Sequence, residues 1–156
     1  MRHLFLASGF LLIVLVLFSG CTTTSPPGSG VHLTLQPDQT RSDLKIGDTV
    51  IFEFKGFKKS VQVTGFNETS HLVYIETKNT GDKAISTISR MWIVDGNGVH
   101  YDLTELQEDG LSPNESRSRL VDLYQFHGMQ DSTTKGKVIL YYTFGNQEAS
   151  WIIIEK

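Results

Sequence analysis

Between Leu72 and Leu103 the chain alternates in two long runs, and residues that favour turns close each run. Val73, Ile75 and Thr77 fall on one side of the first run; Tyr74, Glu76 and Lys78 fall on the other. A period of two is that of a half-buried β-strand and does not build the apolar stripe of a helix. Asn79-Thr80-Gly81-Asp82 then breaks the pattern with residues that accept turn geometry. The second run, Ala84 to Val94, puts Ile85, Thr87, Ser89, Met91 and Ile93 on one side and Ile88, Trp92 and Val94 on the other. It ends at Asp95-Gly96-Asn97-Gly98, which carries both dipeptides that favour a tight hairpin. The expectation is a β-meander with Trp92 in the core.

The same punctuation recurs along the rest of the chain. Thr49 to Phe54, Ser60 to Phe66, Val99 to Leu103, Arg119 to Phe126, Lys137 to Phe144 and Ala149 to Ile154 all read as strands. No stretch beyond residue 43 has the length and spacing of an amphipathic helix. Seven or eight strands with frequent turns predict an all-β, immunoglobulin-like antiparallel β-sandwich over residues 44–156. A 156-residue chain with 39% apolar and 20% charged residues can fill such a core. Lys55, Lys58 and Lys59 read as a solvated strand end.

The amino terminus reads as an address. Arg2 and His3 precede an apolar run from Leu4 to Phe18, and Ser19 and Gly20 lead to Cys21, the sole cysteine. A short basic end, an apolar stretch and small residues before a cut describe a secretory signal over residues 1–20. Leu17-Phe18-Ser19-Gly20-Cys21 resembles the lipobox of prokaryotic lipoproteins, with Phe18 where Leu is usual. That resemblance implies that Cys21 is lipidated and becomes the mature first residue. Residues 21–43 then form a flexible tether: Thr22 to Gly30 is small, polar and rich in Pro and Gly. Within it, Val31 to Leu35 alternates as an edge strand would. A single cysteine permits no intrachain disulfide and no cysteine-based metal site.

Several stretches resemble one family. They are Ile46-Gly47-Asp48-Thr49-Val50, Glu76 to Lys83, and Met91 to Tyr101. Together with Leu111-Ser112-Pro113-Asn114-Glu115-Ser116 they resemble telokin-like, immunoglobulin-type domains of unknown function. Those domains occur in secreted proteins and lipoproteins of bacteria and archaea. The resemblance runs from about Ile46 to Ile154. Asn114 stands where the family more often has Gly, and Asn also tolerates a left-handed backbone. The resemblance implies a fold; it implies no catalytic residues and no cofactor.

Little in the sequence carries reaction chemistry. There is no Gly-x-Ser-x-Gly elbow, no P-loop and no His-Glu-x-x-His. His32, His71, His100 and His127 are far apart, and a metal site needs three or four converging ligands. Asp102, Glu105, Glu108 and Asp109 crowd four carboxylates into one stretch, which reads either as a solvated acidic loop or as oxygen ligands for calcium. Asn67-Glu68-Thr69 and Asn114-Glu115-Ser116 match the glycosylation acceptor pattern. Tyr141, Tyr142, Phe144 and Trp151 crowd the closing hairpin; Tyr141 and Tyr142, as neighbours, point to opposite faces, so one of them is available to a glycan or protein ligand. The formal charge of −3, with no basic stripe, gives no electrostatic reason to bind nucleic acid. The expectation is a non-enzymatic interaction module, lipid-anchored on the extracytoplasmic face of the membrane, with a protein or other extracellular ligand. Its rivals are an exported enzyme or metal-handling accessory protein, and a structural cell-envelope protein.

Overall fold

The computed structural model describes residues 30–86, 89–103, 110–126 and 136–156. Their strands are β1 His32–Thr34, β2 Thr40–Leu44, β3 Thr49–Phe54, β4 Phe57–Asn67, β5 Leu72–Asn79, β6 Ser89–Val94, β7 His100–Asp102, β8 Ser116–Asp122, β9 Lys137–Phe144 and β10 Gln147–Glu155. They form two five-stranded mixed sheets. Sheet A has the order β1-β3-β4-β5-β8, and sheet B has the order β2-β10-β9-β6-β7. One buried cluster takes residues from both, including Val50, Phe52 and Ile75 from sheet A and Ile93, Tyr142 and Trp151 from sheet B. The Phe52 ring lies 5.4 Å from that of Tyr142 and 6.4 Å from that of Phe144, which joins the sheets face to face. The fold is therefore all-β and consistent with a β-sandwich.

Six sequence expectations are corrected. The sheets are mixed, not purely antiparallel, because β1 runs parallel to β3 and β2 runs parallel to β10. β1, where an edge strand was expected, and all of β2 but Leu44 lie within residues 21–43, the stretch expected to be a flexible tether. What fixes them is distant in sequence: Gln147, fully buried, donates to the carbonyls of Leu35 and Gln36 and accepts from the Glu53 amide. A buried amide with its donors and acceptor engaged clamps the crossover from β1 to β2. The meander also fails, since β5 pairs with β4 and β8 while β6 pairs with β9 and β7. Asn79 sets that crossing: its side chain donates to the carbonyls of Lys83 and Leu111 and accepts from the Gly81 amide. Trp92 is half-buried on the outer face of sheet B; Trp151 is the core tryptophan, fully buried. Lys59 is no solvated strand end, being fully buried on the inner face of β4 beside Val61 and Val63. Finally, the strand expected to reach Phe126 ends at Asp122 in a 3-10 turn over Leu123–Gln125, where the Asp122 carboxylate accepts from the Tyr124 amide.

The two predicted hairpins form. Asp95 holds the β6–β7 turn by accepting from the amides of Asn97 and Val99. Its second oxygen accepts from the Tyr101 hydroxyl. This fits the hairpin reading of Asp95 to Gly98. Asn114 has φ 65°, the left-handed backbone that Asn tolerates. The β9–β10 turn pivots on Gly145, at φ +61°. A Cβ there would sit 2.3 Å from the Phe54 ring. Gly145→Ala is expected to destabilise the fold by about 1–3 kcal/mol, from overpacking and a disfavoured φ together. A lower urea midpoint with an unchanged slope would register it; an unchanged midpoint would mean that Phe54 swings away freely.

Candidate functional site

Alternation divides the side chains of sheet B sharply. Met91 and Ile93 of β6, and Leu140, Tyr142 and Phe144 of β9, point into the core. Trp92 and Val94, and Ile139, Tyr141 and Thr143, therefore point outward and are half-buried. The expected split between Tyr141 and Tyr142 is present: Tyr142 is the inner one, and its hydroxyl is pushed to a higher pKa chiefly by burial.

On that outer face three rings form a row across three strands. The Trp92 ring is 5.2 Å from Tyr141 with 3° between planes, and 5.6 Å from His100 with 7° between planes. Register produces this geometry, because Trp92 stands directly opposite Tyr141 of β9 and diagonal to His100 of β7. Rings so nearly parallel at these separations stack from strand to strand. Trp92 and Tyr141 are half-buried and His100 is exposed, so each keeps part of its surface open to solvent. Arg90 and Asp102, both exposed, flank Trp92 on β6 and β7.

The side-chain polar groups of this row have no partner among the described residues. Among the described residues, Arg90, Asp102, His100, the Trp92 indole N–H and the Tyr141 hydroxyl make no hydrogen bond or ion pair. Elsewhere such groups are engaged. The Trp151 indole N–H donates to the Asp48 carbonyl at 3.0 Å, and the hydroxyls of Tyr101 and Tyr124 pair with Asp95 and His71. The outer face of sheet A differs too: it carries Gln62, Thr64, Glu76, Lys78 and Ser118, interrupted by the exposed pair Tyr74 and Leu120.

The other candidates do not assemble a reactive centre. His71, at φ 56°, stacks on Tyr124 and hydrogen-bonds its hydroxyl through Nε2 at 2.8 Å. Its Nδ1 is buried and has no hydrogen-bond partner among the described residues. With Phe66, Glu68 and Glu155 it lines an open cavity of about 260 Å³. His32 is exposed at the start of β1, far in the topology from both other described histidines. Among the described residues no three or more His, Cys, Asp or Glu side chains converge as metal ligands. Asp102 closes β7, whereas Glu105, Glu108 and Asp109 lie outside the described residues, as do His127 and Cys21. Asn67 accepts from the amides of Thr69 and Ser70, which makes the first acceptor motif a closed surface turn.

Sequence reasoning missed one group. The Lys59 Nζ donates to Ser89 Oγ at 3.0 Å and lies 5.2 Å and 5.7 Å from the ring centroids of Tyr142 and Phe144. Burial, then the nearby charges of Arg119 and Arg117, lowers its pKa to about 7. The available signal was parity: Lys59 shares the inward side of its strand with Val61 and Val63.

No family model and no curated protein matches the chain. Among solved structures it is similar to DesR, a β-glucosidase from Streptomyces venezuelae, at 13% identity and a TM-score of 0.28. That match covers 68% of this chain and 14% of the glucosidase, and a likeness so distant carries no argument about fold or activity.

Proposed function

We propose that this chain is a non-catalytic binding module with an immunoglobulin-like sandwich, held on the extracytoplasmic face of a membrane by a lipid on Cys21. The observation that carries the binding reading is the outer face of sheet B, where an aromatic row is fringed by polar groups that have no partner among the described residues. Aromatic side chains combine a large apolar body with a polar tip, and they are enriched where proteins meet ligands. The anchor reading rests on the sequence: a basic end, an apolar run and the sole cysteine placed directly after Ser19-Gly20.

Each half has its own test. Cys21→Ser is expected to shift the protein from the membrane fraction to the medium, or to leave it unprocessed. Unchanged detergent partitioning and mature mass would sink the anchor. For the binding half, purified protein is incubated with isolated cell envelopes from the host of the sequence. Trp92→Ala is expected to lower retention at least tenfold while leaving the far-UV circular dichroism unchanged. Equal retention of the two proteins would rule out this face as the binding surface.

A further inference from the structure

Five groups on the outer face of sheet B point to a particular class of ligand. The three parallel rings step across neighbouring strands, Trp92 and Tyr141 half-buried and His100 exposed, so each keeps part of its surface open to solvent. A guanidinium and a carboxylate stand at their margin, exposed and without side-chain partners among the described residues. An aromatic face is negative and attracts weakly positive C–H edges. Arg and Asp side chains offer planar donor and acceptor pairs of fixed spacing. A pyranose ring presents the counterparts of both: a face of C–H bonds, and hydroxyls in adjacent pairs around its rim.

We infer that the row His100–Trp92–Tyr141, with Arg90 and Asp102 beside it, is a carbohydrate-binding surface for a neutral oligosaccharide chain lying across β7, β6 and β9. The inference rests on the binding-module reading and names its ligand class. The three rings sit on adjacent strands about 4.8 Å apart, a narrow track that suits one extended sugar chain. Charge separates it from polyanions. Arg90 and Asp102 oppose each other in sign within the same patch, and the whole chain carries −3. A nucleic acid or sulfated glycan would meet a carboxylate beside the only arginine on the row. A neutral polyhydroxylated chain meets both as hydrogen-bond partners.

The test is affinity electrophoresis of the full chain through gels containing a β-glucan, a xylan, a galactomannan or, as the anionic comparison, heparin. At least one neutral polysaccharide is expected to retard the protein, and heparin is not. Trp92→Ala and Tyr141→Ala are each expected to reduce the retardation at least tenfold, and Asp102→Asn several-fold. The bound polysaccharide should also protect one of the two tryptophans, Trp92, from acrylamide quenching, and Trp92→Phe should remove the protectable signal. Retardation by no neutral polysaccharide overturns the inference, as does retardation indifferent to both aromatic substitutions. If envelope retention still depends on Trp92 while no polysaccharide retards the protein, the ligand class is wrong and the binding module stands. If neither depends on Trp92, both readings fall.

Discussion

Trp151→Ala is expected to cost about 3–5 kcal/mol of folding stability, the range for truncating a large buried aromatic residue. Trp151 is fully buried on β10, with Leu140 of β9 and Leu44 of β2 as its strand partners. Its indole N–H donates to the carbonyl of Asp48, in the loop between β2 and β3. The carboxylate of the same residue accepts from the amides of Val31 and Lys45 at 2.8 Å. One side chain thus fills the core and positions the loop that carries the chain from sheet B back to sheet A. Small domains have only about 5–15 kcal/mol of stability, so the variant should lose a large share of it. Trp151→Phe separates the two contributions: it keeps most of the packing and gives up the hydrogen bond, for roughly 1–3 kcal/mol. Trp92→Ala should cost less than either change if Trp92 is a surface residue. Urea unfolding followed by far-UV circular dichroism ranks the three. A Trp92→Ala variant less stable than Trp151→Ala would reverse the assignment of inner and outer tryptophans.

That pair shows what could be read from the sequence. Alternation fixes parity, and parity placed Met91 and Ile93 opposite Trp92 and Val94, as found. It does not say which side faces the core. Trp92 was expected inside because its run has strands on either side, but the core filled from the side of Met91 and Ile93, and the indole was left outside on Tyr141 and His100. Turns were legible for the same local reason. Asp95 to Gly98, Gly145-Asn146 and the left-handed Asn114 each depend on residues within a few positions.

What could not be read depends on distant partners. The alternation of Val31 to Leu35 showed an edge strand where β1 lies, but its parallel pairing, and β2 altogether, rely on Gln147, more than a hundred residues away. Polar Thr40 to Leu44 has no apolar pattern of its own, and it becomes a strand because β10 offers an unpaired edge. Likewise, β5 and β6 are neighbours in sequence and partners of different strands, because Asn79 ties the intervening turn to Leu111 instead of letting it close a hairpin. The candidate site sits between these cases. The sequence flagged an outward tyrosine, but the row needs β7, β6 and β9 side by side, and only the topology supplies that order.

Lys59→Met is expected to stabilise the protein at pH 6 by a few kcal/mol, and the advantage should fade toward pH 10. The inward side of β4 places this lysine at zero exposure against Tyr142 and Phe144, with Ser89 Oγ accepting from it. The charged groups that bear on it are Arg119 and Arg117 of β8, both of the same sign as an ammonium. Burial first, and these arginines second, lower its pKa from 10.5 to about 7. In the unfolded chain it keeps its ordinary value. Between about pH 7 and 10.5 the unfolded state therefore binds more protons than the folded one, and stability rises with pH across that window. Below pH 7 both states are protonated and the cost of burying the ammonium is fully present; above 10.5 both are neutral and the cost is gone. At about 1.4 kcal/mol per pKa unit the total is a few kcal/mol, reduced by the attraction of the ammonium to the two rings. Methionine fills similar space without the charge. Unfolding midpoints of both proteins, measured at intervals from pH 6 to pH 10, isolate Lys59, because every other group titrates alike in the two. A stability difference that stays constant with pH, or a variant weaker than wild type at pH 6, would show that the ammonium is well accommodated in the core and that its pKa is not depressed.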